Sequence, residues 1–541
     1  MYCILLIFCL VLQTSTQNCQ SCAANVDRVL KETLACKSNA NKTVGLAVSI
    51  VKSDRVLFSR GYGVIDQVGK KPVTGDTVFQ VASLSKAFAC VLLVKMMEEK
   101  TQYTLDTKLK NILDKDDIFI DELRSNYTTL RDLLAHRTGI PYNNEMRFDI
   151  NLKRSNVVER FKYLKPAGTF RGSYIYNNLM YGFLSYLAEV FGGDKWETLV
   201  KKYIFDPLGM TSSTFVTIAD PEKTKLAQGY VEYYGQLYPV SFDFTRQYGE
   251  LCGSACVLTT ADDMTNWMRF FLNGGKLPNG TRLISENAFK EITTPVNIIA
   301  HSYTDDYFSK PELPVTNIQN GYAHAWRVGF YRGYKMYVHT GSVWGYRAII
   351  SWYPDADLGI FVTFSGNDPN NLYRLSLHNY IFDAYRGFEP YLNSSTLCSF
   401  PEPWIQAEAS KQKPNYPTEL DLQRKKREYT GTYLNKAYGS LEVKGHQDPS
   451  KLTVVYGYTS FLLYPSSTKD EFYGESTEIS KYLFDVQKFH FSFNSEQITL
   501  QTLGFGSKPI FEKQTKTNAM HFYTASKILT TGLVFLVLIF Q

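Results

Sequence analysis

Ser83 and Lys86, three residues apart, carry the strongest chemical suggestion in the chain. They lie in Phe79-Gln-Val-Ala-Ser-Leu-Ser-Lys-Ala-Phe88, after a turn-rich approach (Val73-Thr-Gly-Asp-Thr77) and at the head of a helical pattern that reaches about Glu99. Residues so spaced at a helix start share a face. The first-turn N–H groups are unpaired there, and the positive end of the helix dipole favours developing negative charge. A hydroxyl nucleophile needs a neighbour that takes its proton and donors for the oxyanion it creates. Ser85 suits the task less, because adjacent helical positions point in different directions. By itself Ser-x-x-Lys matches any amphipathic helix with a serine near its start, so its weight depends on residues farther along the chain.

Two such pieces stand downstream, Tyr176-x-Asn178 and His339-Thr-Gly341, the latter opening the turn His339-Thr-Gly-Ser-Val-Trp-Gly345. A tyrosine beside a lysine can take a proton from a serine and return it to a leaving group. An asparagine amide can hold a substrate carbonyl or the lysine. A strand ending at His339 can present the backbone N–H of Ser342, next to Gly341, opposite that of Ser83. The two would make an oxyanion hole, where loss of one donor typically costs ~10²–10³ in rate.

These pieces must be positioned by elements the pattern supplies. After a helix over Ala23 to Cys36, Val44 to Val51 and Val56 to Gly63 flank Lys52-Ser-Asp-Arg55 as a β-hairpin. Leu130 to Pro141 reads as an apolar helix stopped by Gly139 and Pro141. A mainly helical section runs to about Gly209, and another helix covers Thr260 to Asn273. Strands return at Ala325 to Phe330, Tyr334 to Thr340, Ala348 to Tyr353 and Gly359 to Phe364, and a helix over Leu375 to Tyr385 closes the unit. Strands at both ends with helices between imply an α+β domain whose antiparallel sheet joins N- and C-terminal segments. Residues 388–418 hold five prolines and little periodicity and read as a linker. From 419 to 515 short alternating segments recur between turns, the signature of a small all-β barrel or sandwich.

Composition sets the outer bounds. The 541 residues suffice for two to four domains and a large core. The net charge of +6 is spread along the chain, and its longest basic run, Arg424-Lys-Lys-Arg427, reads as a solvated face and not as a nucleic-acid site. The pattern contains no metal-ligand cluster and implies no cofactor. Residues 1–16 read as a signal peptide, with mature protein beginning near Gln17. Of nine cysteines, Cys3 and Cys9 would leave with it. Cys90, inside the Ser83 helix, is expected as a buried free thiol. Cys19, Cys22, Cys36, Cys252, Cys256 and Cys398 could form three disulfides, their pairing open. Sequons at Asn41, Asn126, Asn279 and Asn393 fit a glycosylated exterior. In 518–541, the apolar run Ile528 to Phe540 is too short to span about 30 Å of hydrocarbon as a helix. Behind a small-residue stretch and a polar spacer it fits a GPI-attachment signal; a buried strand or a short tail anchor is the alternative.

Taken together, Ser83-x-x-Lys86, Tyr176-x-Asn178 and His339-Thr-Gly341 resemble the serine β-lactamase-like family: class C β-lactamases, D-Ala-D-Ala carboxypeptidases and related esterases of peptidase family S12. The resemblance covers roughly residues 25–387 and extends to Leu133-Leu-Ala-His-Arg-Thr-Gly-Ile-Pro141, Thr259-Thr-Ala-Asp-Asp-Met264 and Gly345-Tyr346. Tyr429-Thr-Gly-Thr-Tyr433 looks like the β-barrel module that succeeds this domain in many members. The resemblance implies a β-lactamase/DD-peptidase-like domain at 17–387, with Ser83 as nucleophile and Lys86 as its proton partner. It makes Tyr176 general base and acid, and Asn178 a substrate-positioning residue. His339 departs from the lysine usual in β-lactamases and resembles the esterase and animal branches. His136 belongs to a structural landmark and is expected as a satisfied core residue. The implied function is a secreted or GPI-linked serine hydrolase acting on small-molecule or peptide esters or amides. The alternative is an extracellular matrix protein of shell or skeleton that keeps the fold with little or no catalysis. A bacterial-type penicillin-binding protein is disfavoured by His339 and by the sequons. An unperturbed histidine titrates near pH ~6.5, so carboxylate-bearing substrates should gain on neutral ones as pH falls through that range.

Overall fold

The structure, a computed structural model, describes residues 21–36, 43–300, 312–368, 371–406, 419–491, 495–501 and 508–514. The leader at 1–16, Cys19, the sequon at Asn41 and the tail at 518–541 lie outside these residues. The chain divides into two compact units, one of residues 1–144 and 153–413, the other of 145–152 and 414–541.

The first unit is built on an eight-stranded antiparallel sheet. Its order is Val56–Gly63, Thr43–Val51, Leu358–Gly366, Tyr346–Tyr353, Tyr334–Val343, Arg327–Tyr331, Asn317–Tyr322, Asn297–Ile298. The hairpin near the N-terminus thus pairs with the last long strand, Leu46 facing Phe364 and Ile50 facing Ile360. All nine residues of Thr43–Val51 are buried. Both faces of that strand are covered, which is why Val44-Gly-Leu-Ala-Val-Ser-Ile-Val51 reads as a continuous apolar run and not as an alternation. Leu46, Val48 and Ile50 join Val26 and Leu30 of the helix over 21–36 and Leu377 and Ile381 of the helix Leu372–Arg386 in one core. The opposite face receives the helix Ala261–Leu272, whose Met268 lies against Gly359. The helix Ser85–Lys100 runs through the interior, twelve of its residues buried, with Phe88 stacked on Trp267 at 4.1 Å.

Several expectations need correction here. Helix Leu130–Leu134 is shorter than the apolar run suggested, because Ala135 leaves helical geometry and His136 takes φ of 55°. The stretch after Phe388, expected as a linker, is part of the first unit as far as residue 406. Leu392, Leu397 and Phe400 lie in its core, and Cys36 is bonded to Cys398. Cys252 is bonded to Cys256, and Cys90 is a buried free thiol. Cys22 Sγ lies 3.2 Å from Ala384 O. Among the sequons, Asn279 and Asn393 are exposed, and Asn126 is half-buried and accepts from Lys110 Nζ at 3.0 Å.

The second unit is a closed eight-stranded barrel. The sequence pattern missed the strand Glu471–Thr477, whose inward positions are Phe472, Gly474 and Ser476. A Cβ on Gly474 would lie 2.5 Å from the Phe489 ring, so a neighbouring aromatic fills the space and no apolar alternation shows. Tyr429 and Tyr433 are fully buried, the Tyr433 hydroxyl donating to Tyr429 O at 2.7 Å. Residues 145–152, which no local pattern sets apart from their neighbours, belong to this unit. Phe148 packs edge-on to Tyr456 and Phe484.

Candidate active site

Ser83 sits in a 3-10 turn, Ala82–Leu84, just ahead of the α-helix Ser85–Lys100 and not inside it as the pattern suggested. The reason is local: Ala82, fully buried, takes φ of 47°, a left-handed conformation that L-residues avoid and that persists where surroundings enforce it. This bend lifts one side chain out of an otherwise buried run, since Ser83 alone between Phe79 and Val94 is not buried. Ser85 points elsewhere and is committed: its Oγ accepts from Val257 N at 3.0 Å.

Lys86, one helical turn on, is fully buried. Its Nζ lies 2.7 Å from Asn178 Oδ1, 3.1 Å from Ser254 O and 3.3 Å from Ser83 Oγ. Burial drives its pKa well below that of a free lysine, because an ammonium loses its hydration there and no carboxylate among the contacts offsets it. The nitrogen also stands 4.7 Å from the centre of the Tyr176 ring and 5.3 Å from that of Tyr181.

Tyr176 and Asn178 reach the site through the start of helix Asn178–Gly192. Asn177 caps it, its Oδ1 accepting from Leu179 N at 2.8 Å, while its Nδ2 donates to Pro141 O at 2.7 Å. His136 holds the same segment. It is fully buried, and its Nδ1 accepts from Asn177 N at 3.1 Å, which places the proton on Nε2. Burial, reinforced by Lys86, pushes its pKa well below 6.5, and its ring packs 4.4 Å from that of Tyr176. Asn178 Nδ2 donates to Asn144 Oδ1 at 2.9 Å, and this contact orients the amide oxygen toward Lys86.

His339, Gly341 and Ser342 lie on the strand Tyr334–Val343, against which the Ala82–Leu84 turn packs. A Cβ on Gly341 would stand 2.1 Å from Val81 O, so only glycine lets strand and turn approach this closely. Behind the strand, Arg374 donates to Gly341 O, to Ala348 O at 3.0 Å and to Ser342 Oγ at 2.7 Å, and is paired with buried Asp368 at 3.0 Å. His339 is buried, with Nδ1–H donating to Thr340 O at 2.8 Å and Nε2 accepting from the Tyr322 hydroxyl at 3.3 Å. Burial first, then Lys86 and Arg327, push its pKa well below 6.5. The expected titration near that value is therefore corrected: burial and its basic neighbours move it to lower pH.

The structure thus brings Ser83, Lys86, Tyr176, Asn178 and His339 into one cluster with Gly341 and Ser342 on the adjoining strand. Sequence reasoning missed Ser254, Asn144 and Arg374. The first contributes a backbone carbonyl, which every residue has, and so leaves no trace in residue type. A cavity of about 1200 Å³ lined by residues such as Arg154, Glu197 and Thr217 contains none of the cluster. Its charged lining is already paired internally, Arg154 with Glu189 at 2.6 Å and Glu197 at 3.0 Å, which argues against it as the reaction site.

Known proteins share this arrangement's framework. Gigasin-6 of Magallana gigas is 36% identical over 244 residues, 45% of this chain and 80% of that one. The unguisins hydrolase ungD of Aspergillus violaceofuscus (strain CBS 115571) is 25% identical over 338 residues, 59% of this chain but only 58% of the fungal one. An octameric penicillin-binding protein homologue from Pyrococcus abyssi superposes with a TM-score of 0.55 at 18% identity, over 90% of this chain and 100% of that one. A family model described as Beta-lactamase matches residues 26–381, from the helix that opens the first unit to the one that closes its sheet. On that match, and on the fold that carries Ser83 and Lys86, the chain belongs to the Beta-lactamase family.

Proposed function

We propose that the chain is a serine hydrolase that cleaves ester or amide bonds through an acyl-enzyme on Ser83. The observation that carries the reading is the setting of Lys86: a fully buried amine whose pKa burial pushes well below that of a free lysine, with Ser83 Oγ 3.3 Å away. A neutral amine in that place is a base for the hydroxyl, whereas an exposed, protonated lysine would not be. In the proposed reaction Ser83 Oγ bonds to the substrate's carbonyl carbon as its proton passes to Lys86 Nζ. The oxyanion is held by the backbone N–H groups of Ser83 and Ser342. The bond to the leaving group then breaks, and that group takes a proton relayed from Lys86 through the Tyr176 phenol. Water repeats the sequence on the acyl-enzyme and frees Ser83. Burial lowers the His339 pKa and so favours its neutral ring, which supports substrates that are esters or amides without a required carboxylate.

We also place the protein outside the cell. The Cys36–Cys398 and Cys252–Cys256 bonds support this, since disulfides persist in oxidising compartments. So do the exposed sequon residues Asn279 and Asn393.

Labelling with a fluorophosphonate tests the chemistry. Label is expected on Ser83 and absent in Ser83→Ala, and Lys86→Ala should slow labelling by ~10²–10⁴. The wild-type rate should fall on the acid side as Lys86 takes up a proton, at a pH well below 10.5, since its base form is the active one. Folded wild type that neither labels nor hydrolyses a panel of esters would leave the matrix-protein reading in its place.

A further inference from the structure

In the base form that the proposed reaction requires, Lys86 Nζ has two hydrogens and one lone pair, and Asn178 Oδ1, Ser254 O and Ser83 Oγ lie within hydrogen-bond distance. Asn178 Oδ1 at 2.7 Å and Ser254 O at 3.1 Å are pure acceptors, so each takes a hydrogen. In that form the lone pair is left for Ser83 Oγ, whose distance from the nitrogen is 3.3 Å. If Ser254 O moved away, an N–H could swing onto Ser83 Oγ, and the lysine would donate to the hydroxyl it should deprotonate.

The element that holds Ser254 O is small. It is a short helical turn, Cys252–Ala255, closed by Cys256 N donating to Cys252 O at 3.1 Å and set off from the preceding 3-10 helix Gln247–Leu251 by non-helical Leu251; a turn of this length has little stability of its own. A disulfide joins its two ends, Cys252 and Cys256, whose Cα atoms are 4.5 Å apart. Its flanks are tied down: Gln80 Nε2 donates to Ala255 O at 3.0 Å and Val216 N to Cys256 O at 3.0 Å. A Cβ on Gly253 would lie 2.5 Å from Tyr181 O and 3.2 Å from Ala89 Cβ, so the turn is seated between the helices that carry Asn178 and Lys86.

We propose that the Cys252–Cys256 disulfide is a positioning device for Lys86: by fixing the turn that bears the Ser254 carbonyl, it aims the lysine lone pair at Ser83. The inference rests on the acyl-enzyme reading and deepens it. Loop length points the same way. This bond spans a sequence separation of 4, against 362 for Cys36–Cys398, and closing so short a loop removes little entropy from the unfolded chain. Its service is therefore local. Cys252 Sγ also lies 3.3 Å from Glu197 Oε1 and Cys256 Sγ 3.2 Å from Tyr248 O, so hydroxyls or thiols placed there would each find an acceptor. A variant without the bond should fold.

The test compares fluorophosphonate labelling rates of the full chain with and without Cys252→Ser/Cys256→Ser, in wild-type and Lys86→Ala backgrounds. With Lys86 present, the double substitution should slow labelling about 10- to 100-fold, the scale of an ångström-sized misplacement, with KM for an ester little changed. Without Lys86 it should cost nothing further, because the device acts through the lysine. An unaffected rate, or an equal loss in both backgrounds, overturns the proposal. Wild type that does not label on Ser83 removes the acyl-enzyme reading itself, and this one with it; labelled wild type beside an unaffected variant removes this one alone. If the variant does not fold, the native pair is reduced with a phosphine in graded urea below the unfolding transition. Thiols are then counted by alkylation and mass spectrometry on the same sample. A protein reduced at Cys252–Cys256 that labels at full rate overturns the proposal, and loss that reverses on reoxidation supports it.

Discussion

His339 occupies the position where a cationic residue would read substrate charge, and its surroundings forbid that role. Burial, the largest effect, is joined by the guanidinium groups of Arg327 and Arg374, and all of these oppose its protonation. A histidine whose pKa is depressed is neutral above that pKa, so lowering the pH from about 8.5 to 5.5 protonates it only if the pKa lies inside the window. It lies below. Competition between an ester bearing a free carboxylate and its methylated counterpart should therefore give a selectivity ratio that is flat across that range. A ratio rising toward acid pH would show that His339 gains its proton after all. Lys86 shows the same physics: burial lowers its pKa too, and under the proposed mechanism that shift serves the lysine as a base.

At the scale of elements, the site depends on a turn and a strand approaching more closely than side chains permit. Gly341 is the point of contact, with Val81 O where a Cβ would be, and Arg374 braces the strand from behind. The obstructing atom is backbone, so it cannot rotate away. Gly341→Ala should displace the Ala82–Leu84 turn, slow labelling of Ser83 at least ~10-fold and lower stability by about 1–3 kcal/mol, as overpacking does. Urea denaturation and labelling on the same preparation check both, and a variant equal to wild type in labelling would uncouple the strand from the nucleophile. The short helix Leu130–Leu134 shows a related economy. It ends early so that His136, in a left-handed conformation, can meet Asn177.

At the scale of the whole molecule, Cys36–Cys398 joins segments 362 residues apart and thereby ties the helix over 21–36 to the stretch beyond the last helix of the sheet unit. Chain-entropy arguments put such a long closure near the ~5 kcal/mol upper end of disulfide stabilisation. That suits a protein exported into an oxidising, chaperone-poor medium. The matching prediction concerns glycans. Protein expressed in animal cells should reach the medium or the cell surface with a glycosidase-sensitive mobility. The shift should shrink stepwise in Asn279→Gln and Asn393→Gln, whose side chains are exposed. Mobility unchanged by glycosidase would place the chain away from the secretory route. Among the described residues, no helix is long and apolar enough to cross a membrane.

Local chemistry made much of this legible in the residues alone. Covered strands show as apolar runs, amphipathic helices as three- and four-residue spacing, and Ser83-x-x-Lys86 as a pair on one face, because each depends on neighbours in sequence. The long strands of the sheet, the helices at Ser85 and Ala261 and the order of the motifs came from that source. Tertiary structure decided the rest. The lowered pKa of Lys86 follows from how much protein surrounds it, which no window of residues encodes. The Ser254 carbonyl is chemically the same as any other and acquires a role only by where the fold puts it. Which cysteines pair, why residues 145–152 belong with the barrel, and how Gly474 yields its space to Phe489 are likewise matters of approach between distant segments. Sequence wrote the periodicities and the functional groups; desolvation, close approach and backbone polarity, which act across space and not along the chain, set what those groups are able to do.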